Sequence, residues 1–221
     1  MSKTSIYNDL FSSKTINIID FTKSQDNKPY EVYINRILNN PTLFDNITLH
    51  IENAIKTKNL EFDKICATSI SAIPYATNVA TSLEKSIAFI NDTGNMKDEK
   101  GNIKNIKIEG SMDIDERILL IETIVNNDFH IENIIERIRK YGGQVVGVII
   151  VLNQCQGEYS NLTANKELII PIFNLFDIFT YLENNTLIEM FYSEKVKFYC
   201  EKITKLNITK LIPPVNAVFN Q

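Results

Sequence analysis

The stretch Arg117–Ile150, RILLIETIVNNDFHIENIIERIRKYGGQVVGVII, decides the fold. Its opening, RILLIETIV, is a nearly unbroken apolar run of the kind found in a strand buried on both faces. DFHIENIIERIRKYGG then places Ile131, Ile134, Ile135 and Ile138 at helical spacing and ends on Gly142-Gly143, a helix stop. QVVGVIIVL is a second buried strand. Strand, helix and strand make a βαβ unit, whose first strand-to-helix turn commonly binds phosphate. Here that segment, ETIVNNDFH (Glu122–His130), has no glycine, with one carboxylate (Glu122) before the turn proper and one (Asp128) inside it.

The flanking sequence extends the alternation. NPTLFDNITLHIENAIKTKN sets Leu43, Phe44, Ile47, Ile51, Ala54 and Ile55 on one helical face, with Pro41 early, where a helix tolerates it. FDKICATSI reads as a short buried strand, Pro74–Leu83 as a helix and SIAFI as a strand. The polar stretch Asn91–Gly110 carries Gly94 and Gly101 and has the length of a functional loop. KELIIPIF is a last short strand, and the chain from Leu175 to Leu206 reads as largely helical. Strands alternating with helices predict an α/β fold with a doubly wound, mostly parallel sheet flanked by helices. With no repeats and no Pro- or Gly-rich linker, the expectation is one domain over 1–221: a small N-terminal hood (1–40), a core (41–172), and C-terminal helices with a tail (173–221). Ligands in such sheets bind beyond the carboxyl ends of the strands. Those ends are CATSISAIP, FINDTGNMKDEKG, ETIVNNDF and LNQCQGEYSN.

The totals narrow the function classes. The chain has 221 residues and a net charge of −4, with no basic stripe, which argues against nucleic acid as a partner. Four of its 23 basic residues are arginine (Arg36, Arg117, Arg137, Arg139), so bidentate phosphate clamps are scarce. No apolar run reaches membrane-spanning length, and MSKTSIYNDLFSSK lacks a signal-peptide core. Cys66, Cys155 and Cys200 are too widely spaced for a zinc site or a disulfide framework. They read as reduced thiols, and a cytoplasmic location is expected.

The four strand ends, in this order, resemble the orotate phosphoribosyltransferase family, including the phosphoribosyltransferase half of uridine monophosphate synthase, from about Asn8 to Leu206. KSQDNKPYEVYINR is similar to the family's lysine-serine hairpin. DKICATSISAIPYATNVA is similar to its pyrophosphate loop, with the turn kept at Ala72-Ile73-Pro74. Ile108–Gly110 matches the end of its catalytic loop, LLIETIVNND stands at its phosphoribosyl-pyrophosphate motif, and VLNQCQGEYSNL at its Leu-Asp-Arg-Glu segment. The resemblance implies a type I phosphoribosyltransferase fold, a homodimer, and transfer of a phosphoribosyl group from its diphosphate to orotate with Mg²⁺. Such chemistry needs an amide cradle for the 5′-phosphate, two adjacent carboxylates for the ribose, and cations from a closing loop.

This sequence departs from that pattern at most positions. The carboxylate pair is Glu122-Thr123, and a Thr hydroxyl supplies no charge. The phosphate turn is Asn126-Asn127-Asp128-Phe129-His130, with an aspartate where a dianion sits. That repulsion costs about 1–4 kcal/mol at effective dielectrics of roughly 80 to 20. Asp128 suits a helix N-cap instead, and His130 lacks an evident partner. The loop's Arg-Lys pair is replaced by Asn91-Asp92-Thr93, leaving Lys97 or Lys100 as a catalytic lysine. In the pyrophosphate loop Ser69 and Ser71 remain as donors. The family's Asp-Arg becomes Asn153-Gln154, and Gln carries no charge for the substrate. Lys23, in Lys23-Ser24, is retained.

Two readings follow. One is a catalytically inactive homologue, a pseudoenzyme kept as a binding or structural protein, needing no cofactor and no metal and having an unidentified protein partner. Loss of one electrostatic contact typically costs 10²–10³ in rate, and several are lost here. The other is a divergent transferase in pyrimidine nucleotide synthesis, using Mg²⁺ and orotate or another nucleobase. Its catalytic candidates are Lys97, Lys100 and Glu122. Its substrate contacts are Lys23, Ser69, Ser71, Glu122, Thr123, Asn126, Asn127, Asp128 and Gln154.

Overall fold

The computed structural model describes residues 2–19, 28–91, 107–125, 128–154 and 168–211, of which 128–130 and 202–211 are described by their backbone only. The core is a six-stranded sheet in the order β5-β4-β3-β6-β7-β8. Its strands are β3 (Lys64–Ala67), β4 (Ser86–Asn91), β5 (Lys107–Glu109), β6 (Arg117–Ile124), β7 (Gln144–Asn153) and β8 (Ile169–Asn174). All neighbours pair in parallel except the edge strand β5, which is antiparallel to β4. The mostly parallel α/β sheet is therefore as the sequence predicts.

The sheet is covered on both faces, and period-2 alternation along its strands divides the core. Ile118 and Leu120 of β6 and Val148 and Ile150 of β7 pack with Ile131, Ile134, Ile135 and Ile138 of α4 (Asp128–Lys140). Leu119, Ile121, Ile149 and Val151 face the opposite layer. That layer comprises α1 (Lys3–Ser12), α2 (Pro41–Thr57), α3 (Ile73–Ser82), α5 (Leu175–Asn184) and α6 (Met190–Leu211). A two-stranded antiparallel unit, β1 (Ile16–Ile18) with β2 (Tyr30–Val32), forms the hood.

Helix boundaries follow from local chemistry. Asn40 caps α2, its side chain accepting from the Leu43 N–H at 3.1 Å, with Pro41 in the first turn. α4 ends at the Gly-Gly stop in a Schellman arrangement: Gly142 N–H donates to the Arg139 carbonyl and Gly143 N–H to that of Ile138. Gly142 has φ +91°, a conformation that glycine adopts without strain.

Three elements depart from the sequence pattern. α1 is not announced by it, because Ile6, Tyr7 and Leu10 alone supply its buried face. β5 closes the polar stretch Asn91–Gly110. Three residues are too few to show alternation, and its Lys107–Glu109 ion pair of 2.7 Å charges the sheet edge. The C-terminal helical region is two helices, broken after Asn184, where Thr186 has φ +55°. Among the described residues no helix is long and apolar enough to cross a membrane.

Candidate functional site at the switch point of the sheet

From β3 the chain crosses through α3 to β4 on one side, and from β6 through α4 to β7 on the other. The strand order therefore reverses between β3 and β6, at the topological switch point where doubly wound sheets bind ligands. The residues just past these two strands are Thr68, Ser69 and Ser71, and Glu122 with Thr123 near the end of β6.

These five side chains form one hydrogen-bonded cluster around a carboxylate that is 4% exposed. Ser69 Oγ donates to Glu122 Oε1 at 2.7 Å. The Thr123 N–H donates to the same oxygen at 2.6 Å, and Thr123 Oγ1 lies 3.2 Å from it. The Thr68 hydroxyl stands 2.8 Å from Glu122 Oε2 and 3.0 Å from the Ile121 carbonyl. Ser71 Oγ lies 2.7 Å from Thr123 Oγ1 and 3.0 Å from Ser69 Oγ.

A hydroxyl has a single proton to give. Ser69 and Thr68 direct theirs to Glu122, and Ser71 and Thr123 share their two protons among each other, Ser69 and Glu122. The cluster's hydroxyl protons are used within it. A phosphate or pyrophosphate needs donors, so this cluster does not fit one. Of the Glu122 oxygens, Oε1 receives Ser69 and Thr123, while Oε2 accepts from Thr68 and keeps a lone pair. Among the described residues no group of three or more His, Cys, Asp or Glu comes together.

The second strand end lies past β7. Gln154 is 3% exposed and gripped from three sides. Lys28 Nζ donates to its Oε1 at 3.0 Å, the Tyr30 hydroxyl reaches its carbonyl at 3.5 Å, and Cys200 Sγ lies 3.8 Å from that carbonyl. The Lys28 ammonium also sits 4.4 Å above the Tyr30 ring. Tyr30 packs against Phe179 of α5 and Tyr199 of α6. Gln154 thus joins hood, sheet and C-terminal helices. The adjacent Asn153 donates from Nδ2 to Asn174 Oδ1 at 3.0 Å.

The structure thus brings Ser69, Ser71, Glu122 and Thr123 together and sets Gln154 apart, in the hood contact. Lys23, Lys97, Lys100, Asn126 and Asn127 lie outside the described residues. Asp128 is the first residue of α4, and its side chain and that of His130 lie outside them too. The sequence pattern does not single out Thr68, Lys28 or Tyr30. Thr68 is recoverable as a hydroxyl at a strand end. Lys28 and Tyr30 carry no local signal, because their partner is 126 or 124 residues away.

Comparison with known proteins places this arrangement first in a class. The chain has the fold of the type I phosphoribosyltransferases. It superposes on UMP synthase from Leishmania donovani with a TM-score of 0.74 at 17% identity, over 91% of this chain and 43% of that one. On orotate phosphoribosyltransferase from Aeropyrum pernix the TM-score is 0.66 at 15% identity, over 83% of this chain and 99% of that one. More particularly, the chain is similar in sequence to orotate phosphoribosyltransferases. It is 24% identical to that of Pyrococcus abyssi over 150 residues, covering 68% of this chain and 80% of the relative. It is 25% identical to that of Sulfurisphaera tokodaii over 175 residues, covering 79% and 85%. No protein-family model matches the chain.

Proposed function

We propose that this orotate phosphoribosyltransferase-like protein no longer transfers phosphoribosyl groups and is kept as a binding or structural protein. The observation that carries the reading is the inward donor pattern at the switch point. Thr68 and Ser69 direct their protons to Glu122, and Thr123 and Ser71 share theirs within the cluster, so its hydroxyls are already occupied where the family's donor substrate is expected. Opening the cluster for a diphosphate exposes a buried carboxylate to an anion. The fold is retained because the Gln154 contact and both core layers remain packed. By resemblance the protein is a single-domain homodimer, and its reduced cysteines fit the cytoplasm.

The second reading, a divergent transferase using Mg²⁺, draws support from the Lys28 ammonium at the end of β7, where a cation could face an anionic nucleobase. A steady-state assay separates the two. The protein is incubated with Mg²⁺, phosphoribosyl pyrophosphate and orotate, and orotidine monophosphate and pyrophosphate are quantified. The first reading expects neither product above the uncatalysed background. Turnover that is proportional to protein and lost in a Glu122→Ala variant refutes it.

A further inference from the structure

The break between α5 and α6 builds a second concavity that shares no residue with the switch point. Thr186, with φ +55°, turns the chain out of α5. Ile188 and Glu189 follow, and the first turn of α6 opens with Phe191 and Tyr192. Against them stand Phe11 of α1 and Ile18 of β1, and the space between is a groove of about 590 Å³. Phe11, Ile18 and Ile188 are half-buried and make its floor. Phe191 is 51% and Tyr192 38% exposed, and these two make its rim. Their rings stand at 77° to each other, with centroids 5.5 Å apart.

Size and charge select the occupant. The volume lies within the roughly 300–1,000 Å³ of small-molecule sites. A protein partner needs roughly 20–30 residues on each side, and eight of the described residues line this groove. Glu189 is the one charged lining group among the described residues. It is exposed and takes no ion pair among them. Lys195, whose ammonium lies 5.2 Å from the Phe191 ring centroid, is not one of the lining residues. An anion entering the groove meets the Glu189 carboxylate and is repelled. A neutral apolar molecule leaves that carboxylate unpaired. An organic cation satisfies both parts of the lining. Its ammonium pairs with Glu189 and lies against aromatic rings, whose faces carry the negative side of the π quadrupole. Its apolar body covers Ile18 and Ile188.

We propose that the groove between the hood and the start of α6 binds a small organic ammonium ion with an aromatic or aliphatic body. This binding rests on neither reading of the switch point, and it is the same in a monomer and in a dimer joined elsewhere. Amide ¹H–¹⁵N spectra of the full chain test it by titration with three probes of one shape: 4-phenylbutylammonium, 4-phenylbutanol and 4-phenylbutyrate. The expected result is saturable shifts centred on Phe11, Ile18 and Ile188–Tyr192, with a Kd for the ammonium of about 1 mM or below. The ammonium binds about threefold tighter than the alcohol and about tenfold tighter than the acid. Glu189→Gln brings the ammonium to the affinity of the alcohol and leaves the alcohol unchanged. Phe191→Ser weakens both at least about threefold. Both replaced side chains are exposed, and the spectra report whether the variants are folded. Should Phe191→Ser fail to fold, Glu189→Gln decides alone. The proposal is overturned by no saturation up to about 10 mM, by shifts centred elsewhere, or by an alcohol or acid that binds as tightly as the ammonium. A preference for the ammonium that survives Glu189→Gln also overturns it. So do groove resonances that move with protein concentration before any probe is added, which would mean that a second copy fills the groove.

Discussion

Thr68 and Glu122 meet at 2.8 Å across the boundary between β3 and β6, where the strand order of the sheet reverses. In a doubly wound sheet that boundary is the mouth of the ligand crevice. Here it is bridged from within. The bridge converts a row of small hydroxyls, the raw material of a phosphate cradle, into the donor shell of a buried carboxylate.

That role gives Glu122 a stability signature. Glu122→Gln turns one acceptor oxygen into an amide that faces the donors around it. It is expected to lower unfolding free energy by about 1–3 kcal/mol, the cost of unmatched buried polar groups, as measured by urea denaturation. Residues held for catalysis often behave in the opposite way, and their replacement stabilises. A Glu122→Gln variant as stable as the parent, or more so, contradicts a structural role for the carboxylate.

Gln154 is expected to hold the hood down. Gln154→Ala removes the Oε1 that receives Lys28 while leaving the Tyr30 packing intact. A net loss of about 1 kcal/mol should raise amide hydrogen exchange in Ile16–Ile18 and Tyr30–Val32 roughly fivefold. Exchange in β3 and β6 should stay as in the parent. Uniform acceleration through the sheet would show that Gln154 supports the whole domain.

At the amino ends of the strands, Arg117 binds Asp63 through Nε at 3.0 Å and Nη2 at 2.8 Å, and Glu61 through Nη1 at 2.8 Å. The Arg117 hydrogen bonds hold the Asp63 carboxyl well below the usual carboxylate range. A depressed folded-state value means that the stabilisation is present above the unfolded value, near 4, and is lost as pH falls below it. Arg117→Gln should therefore flatten the decline in thermal midpoint between about pH 4 and pH 2. Added salt should weaken the wild-type dependence, since the cluster is exposed.

Burial pushes the Cys66 thiol up to about 12. The raised value favours the folded state below the unfolded thiol value, near 8.5, and that contribution fades as pH rises through the alkaline range. In a Cys155→Ser variant, the buried Cys66 and Cys200 should resist a disulfide reagent at pH 8 and react only on unfolding. Rapid native labelling at Cys66 would show that the edge of β3 opens.

The sequence carries the βαβ frame plainly because the signals are local. Unbroken apolar runs mark β6 and β7, a 3.6-residue period marks α4, and Gly142-Gly143 marks its end. The place of the Glu122 cluster is legible for the same reason, since strand ends can be counted along the chain. Its internal chemistry was not. Ser69 and Ser71 suggest anion donors in sequence, yet each hydroxyl has one proton, and its direction depends on Glu122, more than 50 residues away. Likewise Gln154 looks like a lost substrate contact until Lys28 and Tyr30 arrive from the hood. α1 and β5 escaped because a few buried or alternating residues give too short a pattern to read.

The most direct measurement is calorimetric titration of the wild-type protein with Mg²⁺–phosphoribosyl pyrophosphate, followed by orotate. A switch point whose donors are spent on Glu122 predicts no binding of either ligand up to millimolar concentration. Micromolar affinity for the diphosphate would mean that Thr68, Ser69 and Ser71 turn outward to receive it, and would contradict the account.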